Sequence, residues 1–165
     1  MNCITAVDSR WTIGKDNNLL FHIPKDLQFF KEKTLGKTVI MGKNTLLSLP
    51  NQKPLAGRTN IVLSTSLSRN DCIVCGNLKS LFEKIKYCGG SDLFVIGGEQ
   101  IYKLLLPYCS TAYITKVNTE RTGNKFFPNL DTSDNWNPVC TSDRHKYNDI
   151  EFYFCRYENN SVKNF

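Results

Sequence analysis

One stretch decides the fold class of this chain: Leu93-Phe94-Val95-Ile96-Gly97-Gly98-Glu99-Gln100-Ile101-Tyr102. Four apolar residues typical of a buried strand run into a glycine pair, and a helical pattern follows at once. A strand that is apolar throughout must be covered on both faces, which favours a parallel sheet between two layers of helices. The stretch therefore predicts an α/β fold in which a buried strand passes through glycine directly into a helix.

The same alternation of strands and helices extends over most of the chain. Apolar runs predict strands over residues 3–7, 38–41, 60–63, 72–74, 93–96 and 112–117. Helical patterns predict helices over residues 24–34, 44–49, 78–87 and 99–106, the last of them stopped by Pro107. Residues 138–141 and 150–155 predict an antiparallel pair, and residues 158–165 are expected to fray.

These elements predict an α/β, doubly wound and mostly parallel central sheet with an antiparallel C-terminal edge and about four flanking helices. A chain of 165 residues with 41% hydrophobic residues is typical of one globular domain, here residues 1–165. No apolar run is long enough to span a membrane, and the N-terminus lacks the pattern of a signal peptide.

Cysteine usage and charge narrow the class of protein further. Seven cysteines are an odd number and fall mostly in apolar runs, which favours reduced thiols and a cytoplasmic location. The net charge of +6 favours anionic partners. Because the 21 lysines and arginines are scattered rather than clustered, a small anionic ligand fits better than a nucleic acid.

A second informative stretch, residues 21–30, places an acid among apolar residues. Pro24 is a typical first helical residue, and Ile23, Leu27 and Phe30 follow one stripe of the predicted helix. Asp26 lies beside that stripe, so its carboxylate needs a hydrogen-bonding partner or a raised pKa. Such an acid suits a polar, protonatable heterocycle in an apolar pocket. The alternative is a carboxylate that only stabilises the helix N-terminus.

Two turns in the sequence lead from a strand through glycine into a helix, over residues 39–45 and 95–102. Glycine lets the backbone approach a ligand closely, and free N–H groups at a helix start attract phosphate. At the carboxyl ends of strands in one sheet, the two turns could hold a dinucleotide diphosphate. Lys43 and the hydroxyl run over residues 64–66 could hold a further phosphate, which favours NADP over NAD.

Arg58 follows Gly57 just before a predicted strand. The guanidinium group pairs well with carboxylates through two parallel hydrogen bonds. The local sequence alone predicts that Arg58 is a surface residue. It becomes a candidate ligand-binding residue only if the fold brings it near the helix that carries Asp26. The two histidines lack a nucleophile or metal-ligand context, so the sequence predicts no metal site.

Taken together, these motifs resemble the bacterial dihydrofolate reductase family. The resemblance covers nearly the whole chain, in order, and is carried by residues 6–8, 13–14, 23–27, 39–45, 55–64 and 94–102. It implies an enzyme that reduces 7,8-dihydrofolate to 5,6,7,8-tetrahydrofolate with NADPH and so supports one-carbon metabolism. It further implies binding of antifolate inhibitors and a monomeric state.

The resemblance implies a role for each matched residue. Asp26 would be the active-site acid that holds the pterin ring and promotes its protonation. The substrate would contact Ile4, Thr5, Leu27, Phe30, Leu49, Leu55, Arg58 and Thr115, with Arg58 on the glutamate α-carboxylate and Thr115 on the Asp26 carboxylate. The cofactor would contact Ala6, Ile13, Gly14, Leu19, Gly42, Lys43, Asn44, Thr45, Leu63, Ser64, Thr65, Ile96, Gly97, Gly98, Glu99, Gln100, Ile101 and Tyr102. The Gly97–Gly98 peptide would be cis, and residues 9–23 would form a mobile lid.

The chain departs from the family pattern at two places. Leu20 and Phe21 stand where the family usually has proline and tryptophan, so an indole N–H near the substrate is absent. Gly76 and Gln100 stand where related enzymes often carry cations near the adenosine phosphate, so selection of NADPH would depend more on Lys43 and residues 64–66.

Two other functions share part of this sequence pattern. A pyrimidine reductase of riboflavin synthesis would also use NADPH and the glycine-pair turn, but it needs neither Asp26 nor Arg58. A nucleic-acid-binding domain would need clustered cations with exposed aromatics. A dihydrofolate-dependent NADPH oxidation assay separates the three.

Overall fold

The computed structural model describes residues 1–16 and 18–165; Asn17, which falls inside the predicted lid, lies outside the described residues. The described part of the chain has four α-helices: α1 (Pro24–Thr34), α2 (Lys43–Ser48), α3 (Leu78–Ile85) and α4 (Glu99–Leu105). None of the helices in the described residues has the length and apolar character needed to cross a bilayer. Twelve strands are described: β1 (Asn2–Val7), β2 (Thr12–Lys15), β3 (Asn18–Leu19), β4 (Thr38–Gly42), β5 (Thr59–Leu63), β6 (Ile73–Cys75), β7 (Leu93–Gly97), β8 (Thr111–Val117), β9 (Lys125–Phe126), β10 (Trp136–Thr141), β11 (His145–Tyr147) and β12 (Ile150–Asn159).

The main sheet has the strand order β10-β12-β8-β1-β7-β4-β5-β6, with β11 added alongside β12. The strands from β8 to β6 run parallel, whereas β12 is antiparallel to β8, and β10 and β11 are antiparallel to β12. A small second sheet has the order β3-β2-β9. The predicted mostly parallel sheet with an antiparallel C-terminal edge is confirmed.

Helices cover both faces of the main sheet. Successive side chains of a strand point to opposite sides, so adjacent apolar residues of one strand pack against helices on different faces. On one face Cys3 of β1 belongs to a buried cluster with Leu81 and Ile85 of α3 and with Leu105 of α4. On the other face Ile4 belongs to a cluster with Leu46 of α2, against which Phe29 and Phe30 of α1 pack. The doubly wound arrangement is therefore confirmed.

Helix α1 has the predicted bounds but not the predicted buried stripe. It starts with Pro24 after Ile23, which is buried at 2% exposure. Leu27, in contrast, is 44% exposed, so the prediction that it continues a buried stripe is wrong. The face turned toward the sheet carries Asp26 and Phe30, which are four residues apart, and a helical step of about 100° turns Leu27 away from it.

The prediction that residues 158–165 fray is wrong. Strand β12 continues to Asn159, whose backbone N–H donates to the Ser110 carbonyl at 2.9 Å. Beyond the strand, the Lys163 N–H donates to the Pro107 carbonyl at 2.9 Å, and the ring of Phe165 stacks on that of Phe82 with centroids 5.1 Å apart. Backbone pairing and aromatic contact hold this segment, and neither follows from its polar composition.

Several boundaries differ from the prediction by one or two residues. Strand β6 begins at Ile73 rather than residue 72, α2 spans Lys43–Ser48 rather than 44–49, and α3 ends at Ile85 rather than residue 87. After α4 the chain tightens into a 3₁₀ turn over Leu106–Tyr108 that contains Pro107. Strands β2, β3, β9 and β11 were not predicted, because two to four residues show too little periodicity.

The start of the predicted lid is held by the buried carboxylate of Asp8. Its Oδ1 accepts the N–H groups of Arg10 at 2.9 Å and Thr12 at 2.8 Å, and its Oδ2 accepts that of Arg121 at 3.0 Å. Burial by itself would raise the pKa of the Asp8 carboxyl, but the backbone donors outweigh burial and hold the pKa below its usual value. One carboxylate thus joins residues 8–12 to the segment after β8.

We expect Asp8→Asn to destabilise the protein by about 1–3 kcal/mol at neutral pH, because the amide NH₂ would face the Arg121 N–H donor. A carboxyl with a depressed pKa contributes stability above its unfolded pKa of about 3.9 and loses it as the pH falls through the folded value. The free-energy difference between wild type and variant should therefore shrink below about pH 4 in chemical denaturation. Asp149→Asn, at an exposed turn residue, is the control, and an equal loss in both variants would contradict the role of Asp8.

Candidate active site

A cavity of about 350 Å³ opens at the carboxyl ends of β4, β5 and β7. The last residues of these parallel strands, Gly42, Leu63 and Gly97, all line it. Both predicted glycine turns therefore open into one cavity. In open α/β sheets such a position is the usual place for a bound nucleotide.

Nearly all residues predicted to contact a cofactor line this cavity. They are Ile13, Gly14, Leu19, Gly42, Lys43, Asn44, Thr45, Leu63, Ser64, Thr65, Ile96, Gly97, Gly98, Glu99, Gln100, Ile101 and Tyr102. Ala6 is the exception, since it packs against the apolar cluster of Phe21 and Val117. Thr5, predicted on the substrate side, also lines the cavity.

The glycine turns are built for close backbone approach. A Cβ atom at Gly42 would lie 2.9 Å from Cγ1 of Ile101, and Gly97 has a φ of +119°, which side chains rarely adopt. A Cβ at Gly98 would lie 3.3 Å from the hydroxyl of Thr45. The Gly97–Gly98 peptide bond is cis, as the family resemblance implies. The wall between α2 and α4 is thus backbone rather than side chain.

A β-bulge shapes the same wall. Ile40 of β4 pairs with Val95 of β7, but the next residue, Met41, pairs with Gly97. Ile96 is therefore an extra residue in β7, and its side chain lines the cavity. Bulges locally bend a strand and redirect its side chains, often beside active sites.

One end of the cavity combines a cation with hydroxyl groups. Nζ of Lys43 donates to Oγ of Ser66 at 3.1 Å, and the Ser66 N–H donates to Oγ of Ser64 at 3.2 Å. The space beside Gly76 is open, since a Cβ there would meet no atom within 4 Å. This arrangement suits a phosphate group held by one ammonium group and several hydroxyl donors.

The mostly buried Asp26 carboxylate contacts β8, which pairs with β1 along the edge of β1 opposite β7. Oγ1 of Thr115 donates to Oδ1 of Asp26 at 2.6 Å, and Thr115 itself is 1% exposed. Burial raises the pKa of the Asp26 carboxyl, and the Thr115 hydrogen bond offsets part of that rise. Asp26 is therefore bound to β8 across the sheet and does not serve only as a helix cap.

An apolar cluster lies on the face of the sheet that α1 covers. Ile4 and Phe94 are buried in one cluster, and the partly buried residues Phe30, Leu49, Leu55, Ile96 and Tyr113 pack against it. Ile96 also lines the cavity, and the hydroxyl of Tyr102, another cavity residue, donates to the Ile4 carbonyl at 2.7 Å. The apolar cluster and the cavity therefore adjoin at Ile96, so that ligands bound at the two places would lie next to each other.

The structure brings Arg58 to the C-terminal end of α1. Its Nε and Nη2 donate to Oγ1 of Thr34 at 3.3 and 3.2 Å, and Nη1 donates to the Ala56 carbonyl at 2.7 Å. Thr34 is buried and donates in turn to the Phe30 carbonyl at 2.8 Å. Nη2 also donates to the Lys31 carbonyl at 3.5 Å, so three oxygens fix the guanidinium group at the end of α1. The remaining N–H there can pair with a carboxylate.

Phe21, at the position where the family pattern has tryptophan, is buried against Ile23, Val117 and Phe152. The guanidinium carbon of Arg121 lies 5.5 Å from the centre of its ring. The phenyl group packs in an apolar cluster but has no N–H to donate toward a ligand. Phe21 therefore packs in the core but cannot make the hydrogen bond that a tryptophan N–H would make at this position.

Sequence reasoning missed three cavity residues: Asn18, Ser48 and Lys125. Ser66 also lines the cavity and was included only as part of the hydroxyl run. Asn18 and Lys125 lie in the two-residue strands β3 and β9, which reach the cavity only through pairing with β2. Ser48, at the end of a helix whose start was identified, could have been included from its helical position.

Comparison with known proteins agrees with this geometry. A family model described as dihydrofolate reductase matches residues 1–159. Dihydrofolate reductase of Bacillus subtilis (strain 168) is 39% identical over 158 residues, which cover 94% of this chain and 92% of that protein. The enzyme of Staphylococcus haemolyticus is 33% identical over 163 residues, covering 96% and 95%.

A solved structure of dihydrofolate reductase from Enterococcus faecalis, complexed with NADP(H) and RAB-propyl, is similar throughout. It matches with a TM-score of 0.82 and 29% identity, covering 96% of this chain and 95% of that chain. The family model and the curated relatives each cover most of the chain, and the fold and both halves of the site fit them. The chain belongs to the dihydrofolate reductase family.

Proposed function

We propose that this chain binds dihydrofolate between Asp26 and Arg58 and binds NADPH in the cavity at the ends of β4, β5 and β7. The reaction is the reduction of 7,8-dihydrofolate to 5,6,7,8-tetrahydrofolate by NADPH. The observation that carries the assignment of roles is the position of Ile96, which lines the cavity and packs against the same apolar cluster as Phe30, four residues after Asp26 on α1. A hydride donor in the cavity and an acceptor held on α1 would meet beside Ile96.

In the proposed mechanism, NADPH bound in the cavity would supply the hydride for carbon 6 of the pterin ring, and a proton from solvent would add at nitrogen 5. Asp26 accepts hydrogen bonds from the 2-amino group and ring nitrogen 3, and its charge favours the protonated pterin. Thr115 holds the Asp26 carboxylate in place with its 2.6 Å hydrogen bond. Ile4, Leu27, Phe30, Leu49 and Leu55 exclude water from the pterin and aminobenzoyl groups.

The 44% exposure of Leu27 supports a role in substrate contact. An exposed leucine next to a mostly buried acid offers apolar area that a flat ring can cover. Arg58, fixed by Thr34 and the Ala56 carbonyl, is preorganised to bind the α-carboxylate of the glutamate group. A preorganised fork loses less conformational entropy on binding than a free side chain.

We also propose that residues 1–165 act as one domain, as a monomer in the cytoplasm, and bind antifolates at the substrate site. All seven cysteines are free thiols, which is typical of a reducing compartment. The scattered lysines and arginines support a small-molecule enzyme that does not engage nucleic acid.

The Asp26→Asn variant should lose activity by roughly 10²- to 10⁴-fold at pH 7, because the amide cannot stabilise a protonated pterin. The loss should shrink at low pH, where the substrate arrives already protonated. A carboxyl whose pKa is raised by burial is most favourable below its unfolded pKa and becomes destabilising as the pH rises through the folded value. The variant should therefore be as stable as wild type, or more stable, at pH 7.

Steady-state rates between pH 5 and pH 9 and thermal melting at pH 7 measure both effects. Activity like that of the wild type in Asp26→Asn at pH 7 would exclude Asp26 from the mechanism. A large drop in melting temperature would assign the loss of activity to folding instead.

The Arg58→Lys variant should weaken dihydrofolate binding by about 1.5–3 kcal/mol, the typical contribution of a hydrogen bond to a charged group. Lysine offers a point charge where arginine offers two parallel donors. Dihydropteroate, which lacks the glutamate, should bind wild type and variant nearly equally, and so should NADPH. Equal losses for dihydrofolate and dihydropteroate, measured by calorimetric titration, would contradict the assignment of Arg58.

The Lys43→Ala variant should narrow the preference for NADPH over NADH, because Lys43 and its hydroxyl neighbours are proposed to hold the 2′-phosphate. Because exposed charges are screened over about 8–10 Å at physiological ionic strength, the wild-type preference should also fall with added salt. The measurement is the ratio of kcat/KM for the two cofactors at low and high salt. Lys146→Ala, on the distant strand β11, is the control.

Equal proportional losses with NADPH and NADH in Lys43→Ala would move the selection of the phosphorylated cofactor to another residue. An unchanged ratio in Lys146→Ala would show that the effect is local and not a consequence of the net charge.

A further inference from the structure

A second cation, Lys125, lines the cavity besides Lys43. Among the residues described as lining the cavity, Lys43 and Lys125 are the positively charged ones. Lys43 lies beside the hydroxyls that follow β5, whereas Lys125 lies on β9, next to Gly14 and the predicted lid. The proposed 2′-phosphate site accounts for Lys43 and leaves Lys125 without a role.

The backbone holds Lys125 firmly in this position. Strand β9 pairs with β2, Gly14 lies opposite Lys125, and the Asn124 N–H donates to the Gly14 carbonyl at 3.1 Å. The amide of Asn124 exchanges hydrogen bonds with Asp16, donating to its Oδ1 at 2.8 Å and accepting its N–H at 3.2 Å. The base of the Lys125 side chain is therefore fixed relative to the lid-side wall of the cavity.

Lys125 and Gly14 lie on the same face of the small sheet. A Cβ atom built on Gly14 would lie 3.9 Å from Cβ of Lys125, an ordinary contact distance, and 2.9 Å from the Asn18 carbonyl oxygen. The bare backbone at Gly14 therefore allows the close approach of β3, and Gly14 and Lys125 both line the cavity.

The Lys125 ammonium group is exposed and, within the described residues, makes no hydrogen bond or ion pair. Lys103 of α4 and Lys116 of β8, in contrast, are paired with carboxylates, Lys103 with Glu99 at 2.8 Å and Lys116 with Asp131 at 2.6 Å. An ammonium group without a protein partner, at the wall of a cavity that accepts an anionic ligand, is available to that ligand.

We propose that Lys125 is a second cofactor-recognition residue, whose ammonium group contacts the nicotinamide-side phosphate of the cofactor diphosphate from the lid side. The proposal rests on the proposed function, because it takes NADPH as the occupant of the cavity. The diphosphate is common to NADPH and NADH, so Lys125 contributes affinity for both without distinguishing them. The two lysines therefore have different roles. Lys43 binds the 2′-phosphate and selects NADPH, whereas Lys125 binds the diphosphate of either cofactor.

The test compares Lys125→Gln, which removes the charge, with Lys125→Arg, which keeps it. Lys15→Gln is a matched control: Lys15 is an exposed lysine on β2, adjacent to Gly14 in the chain, and it does not line the cavity. Calorimetric titrations use three ligands, NADPH, NADH and adenosine 2′,5′-bisphosphate. The last keeps the 2′-phosphate but lacks the nicotinamide-side phosphate.

We expect Lys125→Gln to weaken binding of NADPH and of NADH by the same factor, roughly 3- to 10-fold, as for a partly exposed charge contact. Its affinity for adenosine 2′,5′-bisphosphate should stay within about twofold of wild type, since the lost contact is to the missing phosphate. Lys125→Arg should bind all three ligands like the wild type, and Lys15→Gln should do the same.

Three results would overturn the proposal: a loss confined to NADPH, an equal loss with the bisphosphate, or an equal loss in Lys15→Gln. The first would place Lys125 at the 2′-phosphate, and the other two would reduce it to a general contribution of charge. The proposed function fails separately, if wild type binds NADPH but does not oxidise it when dihydrofolate is added. Wild type that binds no NADPH would overturn both.

Discussion

Parallel pairing between β4 and β7 brings Gly42 and Gly97 to the same edge of the sheet, and the rest of the site depends on this pairing. Both strands continue into helices, so two glycine turns with bare backbone face one cavity. The extra residue in β7, Ile96, aims a side chain at the boundary between cavity and apolar cluster. Without this register, the glycines would remain two unrelated turns, and neither would be enough to hold a dinucleotide.

The catalytic side depends on a different kind of constraint. A carboxylate in apolar surroundings is costly, and Asp26 reduces that cost with one short hydrogen bond from Thr115 on a strand far away in sequence. The same burial raises the pKa of Asp26, so the ionised carboxylate lowers the free energy of unfolding. The protein accepts this loss of stability at a residue that the proposed reaction uses. Arg58 is treated in the opposite way: three neighbouring oxygens fix its fork while leaving outer donors available. The site therefore combines a carboxyl group with one side-chain hydrogen bond, Asp26, and a guanidinium cation with several, Arg58.

Long apolar strands and their glycine turns were predictable because burial imposes a strong pattern on them. Strands β4, β5 and β7 are mostly buried, and β4 and β7 lead into α2 and α4 within two residues, so the parallel sheet followed from pattern and connection length. Asp26, Arg58 and Lys43 were selected from local context and the family resemblance. The predictions of a buried Leu27 and of a frayed C-terminal segment were wrong. The rotation of a helix and the backbone pairing of the last residues depend on the elements that they pack against, which local sequence does not show.

The sequence by itself determined the fold class, the family, and the positions of the glycine turns, since these depend on short-range pattern and backbone freedom. The contacts of Thr34 with Arg58 and of Lys125 with Gly14 became known only from the tertiary structure. The contact of Thr115 with Asp26 was implied by the family resemblance, and the grouping of Lys43 with residues 64–66 was predicted from the sequence. Contacts between residues distant in the chain carry no local signature, because the order of the strands sets them. Lys125 shows this most clearly, since a two-residue strand has no periodicity and only its pairing with β2 brings it to the cavity.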